Sequence, residues 1–245
     1  MNKTNYRTEF HIHTKASSDS LLGKHALLHM CRAKHLNCIA ITDHNEVSGA
    51  LDFRSFLEPH GVDVIVGEEV FTSEGEIVGL WLEERIEPGL SPERTVAEIK
   101  RQGGIVYIPH PYDSKREKTV IHPNALLRIA HEVDCVEVHN GRNISEGFDC
   151  RQQKAYESVR EINRFVLPVI GCDAHAFFEI GRNFVVTDTP FSRENFHAVL
   201  KDAHFEPSAC IEFSHTTTKL VRLLKMLRKR DFDGIRGVLH RKLAR

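Results

Sequence analysis

Residues 37–45 read Asn-Cys-Ile-Ala-Ile-Thr-Asp-His-Asn, a short apolar run that ends in an acid and an imidazole. A continuous apolar run of this length fits a strand covered on both faces, as in a parallel sheet. The polar cluster then falls at its C-terminal end, where parallel α/β folds build their sites. Working outward, the same form recurs. Strand candidates are Thr8–His13, Asn37–Thr42, Val62–Val66, Ile77–Leu82, Ile105–Pro109, Cys135–His139 and Val166–Gly171. Helical patterns at Leu21–His35, Val47–Glu58, Pro92–Gln102, Pro123–His131 and Cys150–Arg164 separate them. Alternation over this length predicts βα units and a largely parallel sheet or barrel. The stretch EGEIVGLWL (Glu74–Leu82) reads instead as a hairpin return, which breaks a strict repeat.

Six strand ends carry chemistry. They are Phe10-His11-Ile12-His13, Thr42-Asp43-His44, Gly67-Glu68-Glu69, His110-Pro111, Glu137-Val138-His139-Asn140 and Asp173-Ala174-His175. His11 and His13, at i and i+2 of a strand, are expected on one face. A lone histidine after a strand is commonly a packed or surface residue. Six clusters in succession are different, because uncompensated polar groups there would be costly to bury. Imidazoles mixed with carboxylates suit Zn²⁺, Mn²⁺ or Fe ions. About nine candidate ligands exceed what one ion needs, which points to a multinuclear site.

Composition excludes several classes. The formal net charge of -1 argues against a body made to bind nucleic acid or membrane. No apolar run reaches the ~18 residues of a membrane span, and the N-terminus lacks a signal-like stretch, so a cytoplasmic protein is expected. The six cysteines form no CxxC pair and are read as reduced and structural. The segment from Lys219 onward carries ten Lys/Arg against two Asp/Glu. Leu220, Leu223, Leu224 and Leu227, then Ile235, Val238 and Leu239, fall at helical spacing, which predicts two short helices packed on the main domain by their leucine face. A basic surface for nucleic acid is the alternative.

The order HxH, TDH, a Glu after a glycine-rich strand end, HP, EVHN and DAH resembles the polymerase and histidinol phosphatase (PHP) family, over about residues 7–190. The resemblance implies a distorted (β/α)7 TIM-like barrel; the barrel domain is expected over residues 1–215, and the charge and leucine pattern makes residues 216–245 a basic helical extension. It implies two to three divalent ions. His11, His13 and Asp173 would hold the first, with Glu69 bridging to a second held by His110 and His139. His44 and His175 would hold the third. Glu68 competes with Glu69 for the bridge. Where the family often has a histidine six residues after HxH, this chain has Asp19, which either ligates the third ion or caps the helix near Leu21. As a ligand, that carboxylate would favour Mn²⁺, Mg²⁺ or Fe²⁺ over Zn²⁺.

The implied activity is hydrolysis of a phosphomonoester or phosphodiester of a nucleotide or small metabolite, by a metal-bridging hydroxide. Asp43 is expected to orient His44. Arg142 and Arg182 are expected to clamp phosphate, or else to serve as surface ion-pair partners. Rival classes are a nuclease working through the basic segment, a non-catalytic metal-binding module, and a related amidohydrolase. The lysine ligand common in amidohydrolases is absent from all six blocks.

Overall fold

A computed structural model describes residues 5–113, 116, 119–143, 150–208, 214–228 and 230–231. Strands β1 (Tyr6–Ile12), β2 (Cys38–Ile41), β3 (Asp63–Thr72), β4 (Gly75–Leu80), β5 (Ile105–Ile108), β6 (Cys135–Asn140) and β7 (Leu167–Gly171) form a barrel wall. Helices α1 (Lys24–Lys34), α2 (Ser48–Leu57), α3 (Pro92–Arg101), α4 (Pro123–Ile129) and α5 (Cys150–Ile162) connect them. The pairs β1/β2, β2/β3, β5/β6 and β6/β7 are parallel. As the hairpin reading requires, β4 runs antiparallel to both β3 and β5. Closure is nearly complete. The segment after β7 returns to β1, with Cys172 N donating to Phe10 O at 3.1 Å and His13 N to Ala174 O at 2.8 Å.

The local causes are conventional. β2 and β5 are buried at every position, as continuous apolar strands between two layers must be. Ser91 caps α3 by accepting from Arg94 N, Pro92 opens the helix, and Gly103 at φ +68° follows its last turn. Expected boundaries shift in two places. Strand β3 does not stop at Val66; its backbone continues to Thr72 because β4 pairs with it over six residues. Helix α1 begins at Lys24, with Gly23 at its N-cap and no side-chain cap. Asp19 therefore lies outside the cap, and that alternative fails.

Three short elements escaped the sequence pattern: β8 (Phe184–Thr187), α6 (Phe196–Lys201) and β9 (His204–Glu206). β8 pairs antiparallel with the first half of β1, and β9 with β8. A further helix, α7 (Ser214–Arg228), corrects the expected leucine packing. Leu220, Leu224 and Leu227 are exposed, and Val221 is buried instead. The expected second helix, with Ile235, Val238 and Leu239, lies outside the described residues. Cys31, Cys38, Cys135 and Cys172 are buried and unbridged; Cys210 and the Cys150 side chain are outside the described set. Among the described residues no helix is long and apolar enough to cross a membrane.

Candidate metal centre

The centre is organised by one carboxylate. Glu69, in β3, turns Oε1 toward His11 Nε2 (3.3 Å) and His110 Nε2 (2.9 Å), and Oε2 toward His13 Nε2 (3.3 Å) and His44 Nδ1 (3.0 Å). Asp173 Oδ1 faces the same pair of β1 imidazoles, at 3.7 Å from His11 and 3.4 Å from His13. On the far side, the Asp19 carboxylate spans His44 Nε2 (3.5 Å) and His175 Nε2 (3.4 Å). Glu68, the competitor, points elsewhere and accepts from Ile86 N at 2.8 Å.

Backbone conformation helps aim these groups. His11, His110 and Asp173 all adopt positive φ, at 68°, 30° and 56°. Non-glycine residues rarely do so, and such strain gathers at functional sites. At His11 the register of β1 against β2 is interrupted between Glu9 and Ile12. Simple i, i+2 alternation is thus not what brings His11 and His13 together; the break in register, with His11 at positive φ, re-aims the first of them.

Behind the cluster, other groups fix ring orientation. The Glu137 carboxylate, wholly buried in β6, accepts from His11 Nδ1 (3.2 Å), Asn140 Nδ2 (2.9 Å), the Tyr107 hydroxyl and the His110 backbone N–H. Gly171 makes room for it: a Cβ there would stand 1.7 Å from Glu137 Oε1. Ser17 Oγ donates to Asp43 (2.6 Å), so it accepts from His13 Nδ1 (3.2 Å) and leaves Nε2 of that ring as the lone-pair nitrogen. Asp43 also accepts from Thr14 N and Thr14 Oγ1, both at 2.6 Å. It therefore secures the Thr14–Ser17 turn and acts on His13 through Ser17; it reaches His44 only through that residue's backbone N–H, which donates to Ser17 Oγ at 3.0 Å.

Electrostatics follow from burial among so many charges. Burial opposes a charge on His11 and His44, yet Glu69, with Asp173 and Asp19 respectively, holds both imidazoles well above the ordinary histidine range. His13 goes the other way, pushed down by burial and by His175 and His44. Against burial, His11 and His44 hold Glu69 well below the usual carboxylate range, and Arg116 and His11 do the same for Asp173. Positive charge is what the carboxylates demand.

A cation fits that demand. Metal–ligand bonds of about 2.0–2.2 Å set neighbouring ligand atoms roughly 3–3.6 Å apart, which matches the separations above. The donors are also poorly satisfied otherwise. His11 Nε2, His13 Nε2 and Glu69 Oε2 are buried without a hydrogen bond, although they face one another. Four groups can each surround an ion: His11/His13/Asp173, His11/Glu69/His110, His13/His44/His175, and His44/Glu69/Glu76.

The expected residues divide accordingly. His11, His13, His44, Glu69, His110, Asp173 and His175 converge, with Asp19 beside His44 and His175. His139 belongs to none of these groups among the described residues; its Nε2 lies 3.4 Å from Ser208 O. Arg142 is buried and gives Nη1 to His175 Nδ1 (2.7 Å) and Nη2 to Ser214 O (2.8 Å) and the Thr218 hydroxyl, which ties α7 to the centre. Arg182 Nε donates to Phe178 O at 3.2 Å. Sequence reading missed Glu76, Tyr107 and Arg116, the last bound to Asp173 and Asp113, and quoted Glu137 within a block without giving it a role. Of these only Glu137 carried a usable signal, as an acid inside an otherwise apolar strand. A cleft of about 200 Å³ opens beside Asp19 and His175, walled by Leu22, Phe177, Phe178, Thr217 and Val221.

Comparison with known proteins agrees with this geometry. The family model described as PHP domain matches residues 9–241. An uncharacterized protein of Methanocaldococcus jannaschii, MJ1587, is 40% identical over 116 residues, covering 43% of this chain and 68% of the relative. Among solved structures, a two-domain protein from Bacteroides vulgatus, described as containing a predicted PHP-like metal-dependent phosphoesterase, superposes with a TM-score of 0.59 at 16% identity. That match covers 83% of this chain but 65% of the other. A Chromobacterium violaceum structure described as an amidohydrolase with bound sulfate gives a TM-score of 0.53 at 18% identity, over 69% of this chain and 87% of that one. At these identities the structural likeness speaks for the fold.

Proposed function

The chain belongs to the PHP domain family, and on that premise we propose that it hydrolyses phosphate esters at a centre of two to three divalent cations. The substrate class we assign is a phosphomonoester or phosphodiester of a nucleotide or small metabolite. One observation carries the reading: a single buried carboxylate, Glu69, faces four imidazoles from three other strand ends. That arrangement suits a bridge between cations and has little use in a packed core.

His11, His13 and Asp173 would hold one cation, Glu69 and His110 a second, and His44, His175 and Asp19 a third. When bound, such ions act as Lewis acids toward phosphoryl oxygens and bring a water pKa toward ~7. The chain's own residues do the rest. Glu137 and Ser17 keep protons on the outward nitrogens of His11 and His13, so that Nε2 of each faces the centre. Arg142 serves as a positioning residue, since its guanidinium joins His175 to α7; with a cation on His175 Nε2, the Nδ1–H would donate to the Asp173 carbonyl at 2.9 Å in place of accepting from Arg142. The cleft beside Asp19 and His175 would receive the organic part of the ester, its apolar walls excluding water.

The test is metal analysis followed by an activity panel. The purified protein should carry two or more equivalents of Zn, Mn or Fe, and chelation should abolish hydrolysis of p-nitrophenyl phosphate or a member of a phosphoester panel. Oligonucleotides and amides belong in the same panel. Less than one equivalent after reconstitution, or turnover of amides alone, would refute the reading.

A further inference from the structure

A second acidic residue enters the centre from the hairpin, outside all six sequence blocks. In the β3/β4 pairing Glu69 lies opposite Val78 and Phe71 opposite Glu76. Two-residue alternation therefore sets Glu76 diagonally across from Glu69 on the same face. Glu76 is 3% exposed. Its Oε1 stands 3.7 Å from His44 Nδ1 and its Oε2 3.6 Å from His110 Nε2. Oε2 has no hydrogen-bond partner. Burial and the neighbouring Glu69 push this carboxyl well above the usual carboxylate range despite His44 and Arg116, so its ionised form needs further positive charge close by.

Resting on the reading that cations occupy this centre, we propose that Glu76 is a metal ligand, joining Glu69 and His110 at the second cation in the place the family pattern gives to His139. The 3.6 Å between Glu76 Oε2 and His110 Nε2 matches neighbouring ligands of one ion. Glu69 and Glu76 also stand together in a group able to surround an ion, there with His44, whereas His139 faces the Ser208 carbonyl. Two carboxylates with one imidazole make a harder site than one carboxylate with two, so this position should prefer Mn²⁺ or Fe²⁺ to Zn²⁺.

The experiment is a Mn²⁺ titration of the metal-stripped chain, residues 1–245, with free Mn²⁺ counted by electron paramagnetic resonance. Wild type, Glu76→Gln, Glu76→Asp and, as a control for loss of a neighbouring buried acid, Glu68→Gln are compared. Melting in chelator identifies any variant that fails to fold. Glu76→Gln should bind one equivalent fewer, or one equivalent about tenfold or more weakly, since loss of outer partners alone costs that much. Glu68→Gln should titrate as wild type. Should Glu76→Gln fold poorly, Glu76→Asp decides, and a weakened equivalent is expected there too. A variant set that binds Mn²⁺ in the same number and with the same affinity as wild type overturns the assignment of Glu76. Failure of the wild type itself to bind cations overturns the phosphoesterase reading with it.

Discussion

Glu137 offers the sharpest perturbation, because its four bonds divide cleanly between its two oxygens. Oε1 accepts from His11 Nδ1 and the Tyr107 hydroxyl, Oε2 from His110 N–H and the Asn140 amide. Glutamine keeps the shape but turns one acceptor into a donor, so either orientation sets an NH₂ against two former donors. The less costly orientation presents NH₂ to His11 and Tyr107, since the hydroxyl can rotate and the imidazole can move its proton. Two compromised buried bonds at roughly 1–3 kcal/mol each, partly relaxed, give a destabilisation of about 3 kcal/mol. For a chain of this size that lowers Tm by about 6–12 °C. The moved proton matters more. It lands on His11 Nε2, the nitrogen facing Glu69 and Asp173, and blocks that ligand. Metal affinity should fall 10–100-fold, the range typical when a partner behind a ligand is lost. Melting in chelator reads the first effect, and titration of the stripped protein with Mn²⁺ reads the second. Wild-type values of both would refute the reasoning; a lower Tm with unchanged Mn²⁺ affinity would refute the proton argument alone.

Glu9 provides a pH test away from the centre. Burial pushes its carboxyl up to about 8 despite a bond from Gly181 N–H. The folded protein thus holds this proton more tightly than the unfolded chain. Stability is lost as pH rises from the unfolded value of 4.5 toward about 8, by up to about 5 kcal/mol. Glu9→Gln should flatten that decline and melt higher than wild type at pH 8 but not at pH 4.5; parallel curves would exclude it. In the cleft, Val221→Trp should fill space beside His175 and raise KM for an aryl phosphate about tenfold while leaving metal content unchanged. An unmoved KM would mean the organic group binds elsewhere.

Legibility varied with the kind of constraint. β2 and β5 were readable because continuous burial writes itself as an uninterrupted apolar run. The start of α1 was misplaced at Leu21 because Gly23 caps it through backbone alone, which leaves no polar signature. Glu69 and its imidazoles were visible since ligand chemistry and position at a strand end coincide. Glu76 was not, because a hairpin strand runs against the others and brings its residues to the centre from an unmarked position. The leucines of α7 misled by pattern: helical spacing reports a face, but not which face the barrel contacts, and here Val221 points inward.

β1 also fixes when the barrel can exist. Its first half pairs with β8, and its second half takes hydrogen bonds from the segment after β7. The strand nearest the N-terminus is therefore completed by residues some 160–180 positions later, so closure waits for nearly the whole wall to be made. Contacts of such separation raise the mean loop that folding must close, which slows the final step. His11 sits on that strand and His13 directly after it, so a cation held by them would be bound last and would seal the ring that it joins.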